Sequence, residues 1–140
     1  MRLVLDTNVV VAGLLWAGSP HRLLDRAIDE AFTLSSSPAL IDELAHTLHY
    51  QKFVQRIERF GTTPVALVAQ YSALVTLVSP TQVPRVIEHD IDDDQVLAAA
   101  VAAQADLIVS GDRKHLLPLG SYAGIAIVDA AEALRLISID

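Results

Sequence analysis

The chain contains no cysteine. That excludes a disulfide framework and a thiolate zinc site, and it fits a reducing compartment. Long apolar runs are missing too. The buried-looking stretch from Val96 to Ala103 is less than half of the ~20 residues a membrane-spanning helix needs. The apolar start Leu3-Val4-Leu5 ends at Asp6, too soon for a signal peptide. A cytoplasmic protein without membrane contact is expected. Basic residues are scarce, ten against seventeen acidic ones, for a net charge of −7. This argues against indiscriminate nucleic-acid binding through a basic surface. It leaves room for carboxylates gathered around divalent cations, a site that turns electropositive only when loaded. It also suits a basic partner.

What is present is apolar material. Hydrophobic residues make up 52% of 140, enough to build a core, so disorder is set aside. There is no linker, repeat or low-complexity tract, and one domain over residues 1–140 is expected.

The chain alternates short apolar runs with helical patterns. Leu3-Val4-Leu5 reads as a buried strand. Helices are expected from Asn8 to about Trp16 and, opened by Ser19-Pro20, to about Ala31. A strand over 32–34 follows, then helices from Pro38 to about Tyr50, over 51–60, and from Thr63-Pro64 to about Ala73. Leu74 to Val78 reads as a strand, and Arg85 to Glu88 as a strand extension or edge. A helix opens at Asp92-Asp93-Asp94 and runs through Ala103. Strands at 107–109 and 125–128 flank a turn at His115 and Leu116, and a helix over 130–137 closes the chain. Such alternation predicts an α/β fold, a three-layer sandwich around a mostly parallel sheet covered on both faces. In these sheets sites form beyond the carboxyl ends of the strands.

Four acids fall where that rule can use them. Asp6 ends one strand, and Asp112 lies three residues past another. Asp94 opens a helix apolar on every side, which must be buried. Glu43 lies about 100° from Leu44 on its helix, on the flank of the Leu40, Ile41, Leu44, Leu48 stripe, whereas Asp42, about 160° away, faces solvent. Each acid alone has an ordinary explanation as a cap, turn or solvated residue. Together they ask for more. Three carboxylates in a row repel one another unless something cationic is near, and a buried one without a partner is costly. Arg2 stands at the wrong end of its strand to pair with Asp6. Mg²⁺ or Mn²⁺, bound by oxygens, answers both problems.

The residues also match a known family. Leu3-Val4-Leu5-Asp6-Thr7-Asn8-Val9 resembles the opening motif of PIN-domain nucleases. The stretch Ser37 to Leu44 is similar to their second motif, with Glu43 as its acid. Asp92 to Ala100 is similar to the third, with Asp94 at the functional position, and Ala105 to Asp112 to the fourth. Four motifs in order cover nearly the whole chain. Among members, the toxins of toxin–antitoxin systems, related to the VapC-type ribonucleases, are the most similar. The resemblance implies an RNA substrate, Mg²⁺ or Mn²⁺ as cofactor, a homodimer, and inhibition by a small antitoxin. It makes Asn8 and Ser110 supports for the acids. Asp93 adjoins Asp94, and either could dominate; the match of Leu97-Ala98-Ala99 favours Asp94. Many members carry a further acid where this chain has His115, which bears on a second metal.

Other residues are weighed on their own. Arg113 and Lys114, next to Asp112, are the candidate RNA-binding residues. Lys52, Arg56 and Arg59 share one helix face and read as an ordinary solvated face ahead of a phosphate-binding stripe. His46 and His49 have zinc-like spacing but no fixed third ligand. Leu15 and Trp16 belong to the core or to a dimer contact. A haloacid-dehalogenase-type phosphohydrolase also begins with a strand and an Asp, but it needs a second Asp where Asn8 stands. A non-catalytic binding module would show lost carboxylates, and all four are present.

Overall fold

Strand β1, Arg2–Leu5, is apolar at successive positions because both of its faces are covered. Leu3 and Leu5 join Leu107 and Val109 in one core cluster, while Val4 joins Ile108 and Ile127 in the other. Alternate side chains of a strand point to opposite faces, so a continuous apolar run serves two helical layers at once. The computed structural model describes residues 1–83 and 91–139; the expected extension at Arg85 to Glu88 lies outside them.

Among the described residues the strands are β1, β2 (Thr33–Ser36), β3 (Thr76–Leu77), β4 (Leu107–Val109), β5 (Ser121–Tyr122) and β6 (Ile125–Val128). They form one sheet in the order β3-β2-β1-β4-β6-β5. Every pairing is parallel except the β5–β6 hairpin. Leu5 pairs with Val109 and Val109 with Val128, which brings the carboxyl ends of β1, β4 and β6 level.

The helices are α1 (Thr7–Leu15), α2 (Ser19–Ile28), α3 (Pro38–Leu48), α4 (Gln51–Arg59), α5 (Pro64–Leu74), α6 (Ile91–Ala103), α7 (Leu116–Leu119) and α8 (Ala130–Ile139). Ser37 and Thr63 cap α3 and α5, each followed by a proline in the first turn. Helices α1 and α2 pack closely, since a Cβ on Gly13 would lie 2.8 Å from the Leu24 side chain and 2.9 Å from the Pro20 carbonyl oxygen. Helix α3 packs against α1 and α6, and α8 against α2.

The α/β sandwich with a mostly parallel sheet is what the sequence predicts; several boundaries differ. Helix α2 stops at Ile28, three residues early, because Glu30 turns into the left-handed region at φ 62°. Helix α5 runs on to Leu74, leaving β3 two exposed residues at the sheet edge. The turn at His115 and Leu116 contains α7. Strand β5 was not expected at all. Ala123 and Gly124 both have positive φ, 51° and 80°, as a two-residue hairpin turn requires. Ala-Gly is not the usual signal for that turn.

Candidate active site

Asp6 leaves β1 with its backbone N–H on the Val109 carbonyl, at 2.9 Å. Its carboxylate caps α1, accepting from the Val9 backbone N–H at 2.9 Å. The other carboxylate oxygen accepts from the Ser110 hydroxyl. Ser110, wholly buried, is bound twice over: its Oγ also accepts from the backbone N–H of Asp112, at 3.0 Å. One serine at the end of β4 thus ties the acid of β1 to the acid beyond β4.

Asp112 closes a tight turn. Its Oδ1 accepts from the backbone N–H groups of Lys114 (2.9 Å) and His115 (3.2 Å), and its Oδ2 accepts from that of Leu116 (3.4 Å). Asp93, in the first turn of α6, stands on the cleft wall with Asp112.

The charges follow from these surroundings. Burial pushes the Asp6 carboxyl above its ordinary value. Ser110 and the Val9 N–H pull it down, and the negative charge of Asp112 pushes it up again. Asp112 moves the other way. Its partial burial would raise it, but the Lys114 N–H, Asp93 and the N–H groups of His115 and Leu116 outweigh that and hold it below the ordinary value. Tyr71 of α5 is buried, and burial together with the Asp6 charge pushes its hydroxyl well up, so the phenol stays protonated.

Ser110, Asp112 and Asp93 border a cleft of about 580 Å³, and Asp6 lies behind Ser110. Asn8, Asp93, Asp112, Lys114, His115 and Asp129 supply its polar wall, and Val9, Ala12 and Pro20 part of its apolar one. It lies over the carboxyl ends of β1, β4 and β6, where the parallel sheet places it. Asp6, Ser110, Asp112 and Asp93 are therefore brought together. Asp94 is buried, 3% exposed, and the cleft wall next to it is Asp93. Glu43 is half-buried on α3 and Asp42 exposed, as the helix angles predict. Lys114 reaches the cleft; Arg113 is exposed and does not line it.

The fit of these acids to a divalent cation can be tested on their chemistry. The donors are all oxygen, which suits Mg²⁺ or Mn²⁺. Asp6 is buried with a negative neighbour, and Asp93 and Asp112 share one cleft wall, where a cation would relieve the repulsion. Among the described residues no three acids or histidines form a ready-made cage. Mg²⁺ does not need one, since it keeps several waters and is held by one or two carboxylates plus substrate phosphates. The residues fit the ion.

A family model described as PIN domain matches residues 2–114. The chain belongs to the PIN domain family. No curated protein matches its sequence. Among solved structures, this PIN domain is similar to PAE2754 from Pyrobaculum aerophilum, at 14% identity and a TM-score of 0.63, covering 100% of this chain and 91% of the other. That likeness is one of fold. PIN domains are generally nucleases that use divalent metals, so the assignment sets the haloacid-dehalogenase reading aside.

Some residues of this PIN domain play parts the sequence analysis did not give them. Asp129 lines the cleft and caps α8, accepting from the Glu132 N–H at 2.8 Å. It follows the apolar strand β6 as Asp6 follows β1, and that shared strand-then-acid pattern was the available signal. Tyr71 gave none, because a buried tyrosine looks like any core aromatic. His46 and His49 are exposed; His49 Nδ1 donates to the Ala45 carbonyl at 2.6 Å, and His46 meets Tyr50 edge-on. Leu15 is core and Trp16 is surface. No helix among the described residues is long and apolar enough to cross a membrane.

Proposed function

We propose that this PIN domain is a metal-dependent endoribonuclease, the toxin of a toxin–antitoxin pair, working as a single domain over residues 1–140. The observation that carries the nuclease reading is the chain of contacts from Asp6 through Ser110 to Asp112 and Asp93, across the ends of two adjacent parallel strands. Asp6, Glu43, Asp94 and Asp112 are the proposed acids, with Asp93, Asn8 and Ser110 in support. The toxin role, the homodimer, the antitoxin partner and the cytoplasmic location rest on the motif resemblance stated above.

Mg²⁺ or Mn²⁺, when bound, supplies an activated water and neutralises charge on the phosphoryl oxygens. The rest falls to the chain. Ser110 holds Asp6 in one rotamer and keeps its second oxygen hydrogen-bonded in the buried site. The backbone N–H groups after Asp112 keep that acid ionised and ready to act as a ligand. Asp93, on the same cleft wall, would add a further carboxylate oxygen for the ion. Lys114 stands at the cleft wall to meet a phosphate, with Arg113 beside it.

Purified protein and a mixed RNA pool test this directly. Cleavage with Mn²⁺ or Mg²⁺ should disappear in EDTA and in Asp6→Asn. Undiminished cleavage by Asp6→Asn would remove the site assignment. Parallel Asp93→Asn and Asp94→Asn variants identify which α6 acid is required: the dominant one loses activity by about 10²-fold or more. A non-catalytic module would neither cleave RNA nor gain thermal stability with metal.

A further inference from the structure

The chain has one Trp, three Tyr and three Phe. Trp16, Tyr50, Phe53 and Phe60 gather on one surface, where the end of α1 meets α4. Trp16 meets Phe53 edge-on with centroids 6.1 Å apart, and Tyr50 stacks beside Phe53 at 6.5 Å and 17°. Trp16, Tyr50 and Phe60 are 43%, 45% and 56% exposed. Large rings clustered in water mark an interaction surface more often than an accident of packing.

Cations lie among these rings. The Arg56 guanidinium sits 4.6 Å from the Trp16 centroid and 5.1 Å from that of Phe60. Its Nε donates to the Leu15 carbonyl at 2.6 Å, which fixes it there. The Lys52 ammonium lies 5.0 Å from the Phe53 centroid. Among the described residues the ion pairs are His21–Asp25 and Glu132–Arg135, so no described carboxylate lies within ion-pair distance of Lys52, Arg56 or Arg59. Helix α4 therefore carries a local positive charge on a chain whose net charge is −7.

The surface also continues from the cleft. Asn8 and Ala12, four apart on α1, line the cleft, and Trp16 caps the end of that helix, its backbone N–H donating to the Ala12 carbonyl at 2.9 Å. Residues four apart lie on one side of a helix.

We propose that this aromatic and cationic surface holds single-stranded RNA extending out of the cleft, with bases stacking on Trp16 and its neighbours and phosphates meeting Lys52 and Arg56. The proposal rests on the ribonuclease reading above. Charge complementarity favours a polyanion, since Lys52 and Arg56 lie among the rings. Stacking rings interleaved with cations are the means by which single strands are held without sequence preference.

Trp16 is the sole tryptophan, so its emission reports on this surface alone. The test uses the full-length Asp6→Asn protein in EDTA, where no strand is cut, titrated with an unstructured 12-nucleotide RNA. Saturation should quench Trp16 emission. Trp16→Leu should weaken binding, read by anisotropy of labelled RNA, by about five- to a hundredfold. Lys52→Gln should lower the slope of log affinity against log salt by about 0.7. Phe60→Ala, at a position more exposed than Trp16, supplies a second ring deletion, and melting curves verify that each variant folds. RNA binding that leaves Trp16 emission and all three variants' affinities unchanged would overturn the proposal while the nuclease reading stands. Trp16→Leu that splits a dimer in sedimentation, with RNA affinity unmoved, would overturn it in favour of contact between copies. No RNA binding at all also overturns it; the metal-dependent cleavage assay then decides separately whether the ribonuclease reading falls as well.

Discussion

At the scale of single residues, Asp6 is a carboxylate held where the unloaded fold disfavours its charge. Burial and Asp112 raise its folded pKa above the unfolded value. Its contribution to stability is then present below the ordinary Asp range and lost as the pH rises through the folded value. Asp6→Asn keeps an oxygen for the Val9 N–H and removes the charge. It should therefore melt higher than wild type in EDTA near neutral pH, by about 2–4 °C for each kcal/mol gained, while losing cleavage. A lower melting temperature would contradict the burial account. Asp112 has the opposite sign. Its depressed pKa stabilises the fold above the ordinary Asp range, and that stability is lost as the pH falls through the folded value. Ser110→Ala deletes the donor to Asp6 and the acceptor of the Asp112 N–H together. The acid limb of the pH–rate profile should move to higher pH, because Ser110 is the strongest influence lowering Asp6. An activity loss with an unmoved acid limb would mean Ser110 acts by packing alone.

Among the elements, the α1–α2 corner decides the shape of the cleft. Gly13 lets α1 lie directly on Pro20, and Pro20 is itself a cleft residue. A methyl group at Gly13 meets both backbone and side chain at under 3.0 Å, so the helices must part. Gly13→Ala should cost about 1–3 kcal/mol, as overpacking does, and lower cleavage through the displaced wall. Unchanged melting and activity would show that the corner yields freely. The same corner holds Trp16 beside α4, because Arg56 reaches across to the Leu15 carbonyl. The Lys52, Arg56, Arg59 face is thus not simply solvated: Arg56 is half-buried between two rings.

For the whole molecule, an acidic chain that cuts a polyanion must turn its cleft positive before it can cut. Metal loading would do so at the cleft. Mg²⁺ at about 100 times its dissociation constant should stabilise the fold by ~2.7 kcal/mol. The thermal shift should be larger at pH 7 than at pH 5, since protons compete for Asp6. A shift of equal size at both values, or one that survives in Asp6→Asn, would place the ion elsewhere.

The sequence by itself determined the layers and the edge of the sheet that matters. Leu3-Val4-Leu5 and Leu107-Ile108-Val109 are apolar without alternation, and only a strand covered on both faces reads that way. An acid after each such strand then falls at one edge if the strands run parallel, and they do. The flank position of Glu43 followed from helical spacing alone. Only the tertiary structure decided the rest, because the distances concerned cross the chain. Asp93 lines the cleft with Asp112, since the packing of α6 on the sheet fixes its rotation, and a helix apolar on all sides carries no periodic record of it. Asp129 reaches the cleft through the β4–β6 pairing, and Arg56 reaches Trp16 across forty residues of sequence. Local pattern fixes which face of an element is apolar; it contains nothing about which polar groups two distant elements bring into contact.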